Sequence, residues 1–357
     1  MAPFNPDILP AEFRESYDDL SEAGKQNWLE ERLRGLTDHI FLATEVIGGA
    51  LGDFQENPHR ALFQEFLQKD PEQKKQLYQL DQKIKRRMIL WPRGAFKTSA
   101  ITVEIVQLIL NFPNIRIVFI SGSKKLAARQ LGRIKRIFEK PSEKFRKLYP
   151  EFCAEKGKKL GSAGNEEFTV PCRTMDFPEP TCCISSGKSV NASSHFDVIL
   201  GDDMVNEQNY KSRALLEAVW DQYNAVDPLL EPAGFMYITG TRYAFGDLYE
   251  RIMEQAVKDQ QELGRTDWKF SLKACWVKFC KTCGHTDLLH ASDLNYSSPP
   301  CMEKACECKC FIDSGQKKVL FPLAITKDGR QIGYDLERLE LKQRQDPLWF
   351  ANQYENR

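Results

Sequence analysis

No stretch of about 18 consecutive apolar residues occurs anywhere in this chain, so no conventional transmembrane helix and no membrane partner are expected. The first residues, Met1 to Phe13, lack a basic segment leading into an apolar one, so no signal peptide or secretion is expected. Internal repeats and long low-complexity tracts are also missing. These absences point to a reducing, cytosolic setting, where the 11 cysteines read as thiols or metal ligands and not as a disulfide framework. Net charge is missing too: 50 basic residues balance 50 acidic ones. What is present is a 42% hydrophobic share, enough for a sizeable core, in 357 residues, a length that suits two or three structural units.

The zero charge is a cancellation. Residues 1–80 carry net −7, residues 81–160 net +14, residues 161–280 net −7 and residues 281–357 net zero. One strongly basic block between two acidic ones points to an anionic partner.

Residues 1–80 read as polar and helical, with a short amphipathic helix expected from Pro58 to Gln68. From residue 86 the pattern changes. Apolar or β-branched runs at 86–91, 115–121, 197–203 and 234–241 read as strands. The segments Lys97–Leu110, Ser123–Lys140, Asn206–Val226 and 246–263 between and after them read as helices. Alternating strands and helices predict an α/β domain with a mainly parallel sheet flanked by helices. Residues 275–318 break the pattern, being rich in cysteine and poor in helix or strand signal.

The segment Trp91-Pro92-Arg93-Gly94-Ala95-Phe96-Lys97-Thr98-Ser99 lies between a strand and a helix. A phosphate-binding loop needs that context, because N–H groups at a helix N-terminus point at phosphate oxygens and the helix dipole favours negative charge. Lys97 would reach the β- and γ-phosphates and the Thr98 hydroxyl would coordinate Mg²⁺. The usual pattern has glycines where Trp91 and Phe96 stand, so only Gly94 remains inside the loop.

A second run, Phe196-Asp197-Val198-Ile199-Leu200-Gly201-Asp202-Asp203, ends an apolar strand in two carboxylates. Ligands of open α/β sheets bind at that edge. Asp202 would hold the Mg²⁺ shared with Thr98, and Asp203 would orient and deprotonate the attacking water, with Glu207 as its rival. A third strand ends in Thr239-Gly240-Thr241-Arg242, a polar tip suited to sensing the γ-phosphate.

A Pro-Arg-Gly-x-x-Lys-Thr loop, an Asp-Asp strand end and a later Thr-Gly-Thr strand together resemble the ATPase domain of tailed-phage terminase large subunits. Pro58-His59-Arg60 and the closing Trp349-Phe350-Ala351-Asn352-Gln353-Tyr354 add to the resemblance, which spans roughly residues 40–275 and 319–357. It implies a P-loop NTPase of the ASCE type, with ATP and Mg²⁺ held by Pro92, Arg93, Gly94, Ala95, Phe96, Lys97, Thr98, Ser99, Asp202 and Thr241. Lys97, Asp203 and Arg93 would be catalytic. The resemblance also implies a motor that drives double-stranded DNA into a procapsid. Its partners would be the portal protein and a small terminase subunit, its active form a homo-oligomeric ring, and its location the host cytoplasm at the portal. Many members carry Asp-Glu where this chain has Asp202-Asp203. The family's nuclease domain usually begins near residue 357, so ATPase activity without nuclease activity is expected of this chain.

Ring ATPases complete a neighbour's site with an arginine. Lys188, Arg213 and Arg242 are the candidates, each also readable as an ordinary surface charge. On the helix after the second strand, Arg129, Arg133, Arg136 and Lys140 share one face while Ala127, Leu131, Ile134 and Phe138 repeat the spacing on the other. The four cations are the candidate DNA-backbone contacts, which position without reading sequence.

Cys280-Lys281-Thr282-Cys283-Gly284-His285 is a Cys-x-x-Cys knuckle, followed by Cys301, Cys306, Cys308 and Cys310. Two such pairs satisfy the tetrahedral preference of Zn²⁺. Cys280, Cys283, Cys306 and Cys310 form the favoured set, with Cys301 and Cys308 as alternatives, in a zinc-ribbon-like insertion. Cys153, Cys172, Cys182, Cys183 and Cys275 are expected to be buried, apolar-like thiols. The resulting organisation is an N-terminal helical region (1–57), an ATPase core (58–275), the zinc-binding insertion (276–318) and a C-terminal part of the ATPase domain or a linker (319–357). Two rivals stand beside the packaging motor: another P-loop nucleic-acid motor such as a helicase, and a zinc-ribbon DNA-binding or assembly protein with a decayed nucleotide site.

Overall fold

In the computed structural model, which describes residues 5–48, 84–161, 166–185, 193–283, 313–325 and 329–355, each β-branched run of the middle region is a strand. The strands are β1 (Arg86–Leu90), β2 (Ile117–Ser121), β3 (Glu167–Phe168), β4 (Cys182–Ser185), β5 (Phe196–Asp202), β6 (Leu230–Gly240) and β7 (Trp268–Leu272). They form one sheet in the order β3-β4-β2-β5-β6-β1-β7. β4, β2, β5 and β6 run parallel, and β3 pairs antiparallel with β4. Every residue of β2 is buried, as a strand covered on both faces requires.

Helices fill the connections at Lys97–Asn111, Lys124–Glu139, Arg213–Val226 and Leu248–Leu263. The third starts seven residues later than the pattern from Asn206 predicts. Asn206 instead folds a turn, its Oδ1 accepting from the Gln208 N–H at 2.9 Å and the Asn209 N–H at 3.3 Å. An asparagine that bonds its own following backbone competes with helix formation. β3, β4 and β7 also lie outside the strands expected from periodicity, the first two because they are only two and four residues long.

The chain divides into two compact units. The first comprises Met1–Arg86, Thr98–Met204 and Ala218–Thr239, and holds β2 to β5 and nearly all of β6. Its N-terminal helices are tied to its core: the Trp28 indole N–H donates to the Lys147 carbonyl at 3.0 Å and the Gln107 amide to the Gly35 carbonyl at 2.9 Å. A buried polar chain adds to this, with Glu104 bonded to His39 Nε2 at 2.6 Å and accepting from the Tyr237 hydroxyl at 2.8 Å.

The second unit comprises Arg87–Lys97, Val205–Glu217 and Gly240–Arg357. Its core gathers Cys275, Trp276, Leu339, Phe350 and Tyr354, with the Trp276 and Phe350 rings 5.0 Å apart. Contrary to the weak strand signal of 275–318, β8 (Trp276–Cys280) pairs antiparallel with β9 (Asp313–Val319). The strand signal is weak because Trp276 finds its partners some 75 residues away in sequence. The expected helix at Pro58–Gln68, Pro58-His59-Arg60 and the boundary at residue 57 lie outside the described residues.

Candidate nucleotide site

The loop after β1 holds two residues in the left-handed region. Gly94 sits at φ +87° and Phe96 at φ +60°, both left-handed. Trp91, at the first glycine position of the motif, is a buried residue whose indole N–H donates to Ser271 Oγ at 3.1 Å. That position is part of the core, so a large side chain is accommodated there. Gly94 is needed both for its φ and for space, since a Cβ there would lie 3.3 Å from the Tyr334 hydroxyl. Pro92 and Ala95 are buried, while Arg93 is exposed and pairs with Glu207 at 3.0 Å. The Lys97 ammonium is buried and donates to Thr241 Oγ1 at 2.9 Å.

Thr98 and Ser99, both half-buried, occupy the first turn of the helix Lys97–Asn111, where backbone N–H groups have no intrahelical acceptor.

The ends of three parallel strands align. Ser121 of β2 is in register with Asp202 of β5, and Asp202 with Thr239 of β6. Thr239 Oγ1 donates to Asp202 Oδ1, and both residues are buried. The next residue, Asp203, sits at φ +45°, with its N–H donating to the Thr239 carbonyl at 3.0 Å and its carbonyl accepting from Gly122 at 3.4 Å. Phe96 and Asp203 are the only non-glycine residues with positive φ among the described residues. Such conformations cost about 1–3 kcal/mol each and concentrate at functional sites. Both fall inside the two motifs singled out from the sequence.

Solved structures similar to this chain include phage DNA-packaging ATPases. The ATPase domain of the large terminase of Thermus phage P74-26 matches at TM-score 0.31 and 15% identity, over 54% of this chain and 76% of that one. The N-terminal domain of the DNA packaging ATPase from bacteriophage phi29 matches at TM-score 0.35 and 12% identity, over 54% and 91%. The large terminase of bacteriophage HK97 matches at TM-score 0.32 and 13% identity, over 50% of this chain and 33% of that one. No protein-family model and no curated protein matches the chain. The functional reading therefore rests on this chain's own residues.

Gly240, between the two threonines of the third motif, is fixed by packing: a Cβ there would fall 2.1 Å from the Tyr249 hydroxyl. Arg242 beside it is no surface charge. It is buried, bonded to Glu250 at 2.6 Å and 4.0 Å from Asp247, so it is not available to a neighbouring subunit. Arg213 is the opposite case, its side chain 92% exposed and 4.0 Å from Glu217. Lys188 lies outside the described residues.

The helix Lys124–Glu139 buries Ala127, Leu131, Ile134 and Phe138 and exposes Arg129 and Arg136, with Lys140 exposed just beyond its end. Arg133 is only half exposed and bonds Gln130 at 3.3 Å. Burial pushes its pKa down, Arg129 adds to that, and the Asp202 carboxylate opposes it. Several other cations of the basic block are neutralised internally, with Lys124 on Glu166 at 2.9 Å and Lys144 on Glu31 at 2.7 Å. Arg129, Arg136 and Lys140 have no acidic partner among the described residues.

Cys280 closes β8 opposite Asp313 of β9, so the chain leaves and re-enters this hairpin at adjacent positions. Cys301, Cys306, Cys308 and Cys310 lie outside the described residues, and among the described residues no group of three or more His, Cys, Asp or Glu could hold a metal ion. Cys153, Cys182 and Cys275 are buried as expected, whereas Cys172 and Cys183 are half-buried. Cys183 lies on β4 between the edge strand β3 and β2, and the thin two-residue edge leaves it partly open. No helix among the described residues is long and apolar enough to cross a membrane.

Periodicity and motif spacing gave no role to Gln353 or Tyr334. Gln353 stands out in the sequence only as part of the closing aromatic run, and its carbonyl accepts from the Arg93 N–H of the loop after β1 at 3.0 Å.

Proposed function

We propose that this chain is the ATP-hydrolysing motor part of a viral double-stranded DNA packaging enzyme, a terminase large subunit. The observation that carries the reading is that both motifs singled out from the sequence hold strained backbone. One is a left-handed loop ending in buried Lys97. The other is a buried, threonine-bonded Asp202 followed by left-handed Asp203. Neither arrangement is useful to a solvated turn, since each buries a charge and stores backbone strain.

The donor set fits a nucleotide with its metal: N–H groups and a hydroxyl in a helix first turn, an ammonium and a carboxylate. Mg²⁺, when bound by Thr98 and Asp202, would neutralise phosphate charge. Loop residues Pro92 to Ser99 bind the phosphates, and Lys97 stabilises charge developing on the γ-phosphoryl oxygens. Asp203 orients a water and takes its proton as that oxygen bonds to the γ-phosphorus and the bond to the β-phosphate oxygen breaks, giving ADP and phosphate. Thr239 to Arg242 link the site to movement. Arg129, Arg136 and Lys140, cations without acidic partners among the described residues, contact the DNA backbone, with Arg133 completing the stripe. Arg213 and Lys188 remain the cations suited to a neighbour's site in a ring, and portal and small-subunit partners follow from the motif resemblance.

The test is DNA-stimulated ATP hydrolysis by the purified chain. Activity is expected, and it is expected to vanish in Lys97→Ala and Asp203→Ala. Hydrolysis that survives both substitutions overturns the site. Strand separation by the chain would favour the helicase reading instead. Charge reversal at Arg129, Arg133 and Arg136 is expected to abolish DNA stimulation and leave basal hydrolysis.

Cys280 and Cys283 with two of Cys301, Cys306, Cys308 and Cys310 are proposed as a structural Zn²⁺ site. What supports this is the thiolate donor set and its origin at a paired hairpin position, where a metal would close the intervening segment. One equivalent of zinc is expected in reduced protein, and metal analysis finding none would exclude it.

A further inference from the structure

Gln353 lies in the run Trp349-Phe350-Ala351-Asn352-Gln353-Tyr354 and is 1% exposed. Two of its groups face two different motifs. Its main-chain carbonyl accepts from the Arg93 N–H of the phosphate loop at 3.0 Å, and its side-chain Nε2 donates to the Arg242 carbonyl at 2.9 Å. Buried backbone groups outside regular structure need partners, and here one residue serves both.

Its neighbours hold it in place. Asn352 Nδ2 donates to the Tyr243 carbonyl at 3.3 Å, and the Tyr354 carbonyl accepts from the Cys275 N–H at 2.7 Å. Phe350 and Tyr354 stack at 5.0 Å inside the core that also holds Trp276. The segment is therefore a rigid support. On the other side, Lys97 bonds Thr241, so loop and strand tip are joined directly at one place and through Gln353 at another.

The amide is not there for packing alone. Its Oε1 is buried without a hydrogen-bond partner among the described residues. Burying an unsatisfied carbonyl is unfavourable, and an apolar side chain of similar length would avoid that loss. The donor to Arg242 is what glutamine supplies and such a side chain does not.

We infer that Gln353 is a positioning residue that sets the phosphate loop against the strand tip Thr241-Arg242, an inference that rests on the ATPase reading above. Gln353 touches no reacting atom in this role. It fixes where the Arg93 end of the loop lies relative to the residue that holds Lys97. Transition-state stabilisation depends on that spacing more than substrate binding does, so loss of the bond lowers kcat and leaves KM nearly unchanged.

Two variants test it. Gln353→Glu keeps the shape and replaces the donor with a carboxylate facing a carbonyl. Gln353→Met keeps the length without charge and decides the matter where the buried carboxylate unfolds the protein. Leu348→Ala, at a side chain 66% exposed on the same segment, is the control. Steady-state ATP hydrolysis is measured together with amide hydrogen exchange of residues 92–97 in the absence of nucleotide. In the Gln353 variants kcat is expected to fall about tenfold with KM within about twofold, and loop exchange to quicken. The control is expected to match wild type. Variants that melt earlier yet keep wild-type kcat and loop exchange reduce Gln353 to a stabilising residue and overturn the inference. Wild-type protein that hydrolyses no ATP refutes the ATPase reading, and the exchange measurement alone then supports or overturns the positioning role.

Discussion

The buried Lys97 ammonium donates to the Thr241 hydroxyl at 2.9 Å, joining the end of the loop after β1 to the tip that follows β6. A hydroxyl steadies an ammonium without taking up its charge. Thr241→Val keeps the side-chain shape and removes the acceptor. It is expected to lower kcat for ATP about tenfold and to cost about 1–2 kcal/mol in urea unfolding. Unchanged values of both would show that the contact matters to neither.

Gly94→Ala separates backbone strain from crowding. Its φ of +87° disfavours any side chain, and the new Cβ lies 3.3 Å from the Tyr334 hydroxyl, a buried group without a hydrogen-bond partner. A loss of about 1–2 kcal/mol is expected in urea unfolding. Adding Tyr334→Phe should restore part of it by removing the crowding oxygen. If the double variant recovers nothing, backbone strain accounts for the whole loss.

Asp247 caps the helix Leu248–Leu263, its Oδ1 accepting from the Glu250 N–H at 3.0 Å, while its Oδ2 lies buried 4.0 Å from Arg242 Nε with no hydrogen-bond partner among the described residues. Burial raises its pKa above the ordinary 3.8, against the opposing pull of Arg242. The folded state then holds the proton more tightly than the unfolded state, so this group's contribution to stability falls as pH rises through the window above 3.8. Asparagine caps a helix equally well. Asp247→Asn is therefore expected to melt later than wild type at pH 7, with the gain shrinking toward pH 4. A lower melting temperature at pH 7 would mean that the carboxylate's attraction to Arg242 outweighs its desolvation.

Burial pushes the Cys153 thiol up to about 12 and those of Cys182 and Cys275 above their usual range. At pH 8 a thiol shifted that far is thiolate in about one molecule in ten thousand, and thiolate is the reactive form. These three cysteines are expected to resist a thiol reagent at pH 8 in native protein and to react promptly in urea, as read by peptide mass spectrometry. Rapid native labelling of any of them would show that its burial is transient.

Much of the fold was legible because strands β2, β5 and β6 are apolar runs followed by helical patterns, and such periodicity is local. The loop proposed to bind phosphate is a local pattern of the same kind: Gly94, Lys97 and Thr98 lie within five residues of one another. β8 and β9 were not legible, because Trp276 is buried in a cluster with Leu339, Phe350 and Tyr354, all distant in sequence. Arg242 read as a surface charge because its partners, Glu250 and Asp247, sit on the next helix turn and cap, whose direction no local pattern states.

The amino-acid sequence alone determined the alternation of strand and helix, the loop that ends at Lys97 and the acidic end of β5, since each follows from neighbouring residues and their spacing. Only the tertiary structure decided that Phe96 and Asp203 adopt left-handed backbones, that Lys97 is buried on Thr241, and that Gln353 joins Arg93 to Arg242. Those contacts bring together residues more than a hundred positions apart. They exist because packing of the whole chain satisfies buried polar groups that no nearby residue reaches.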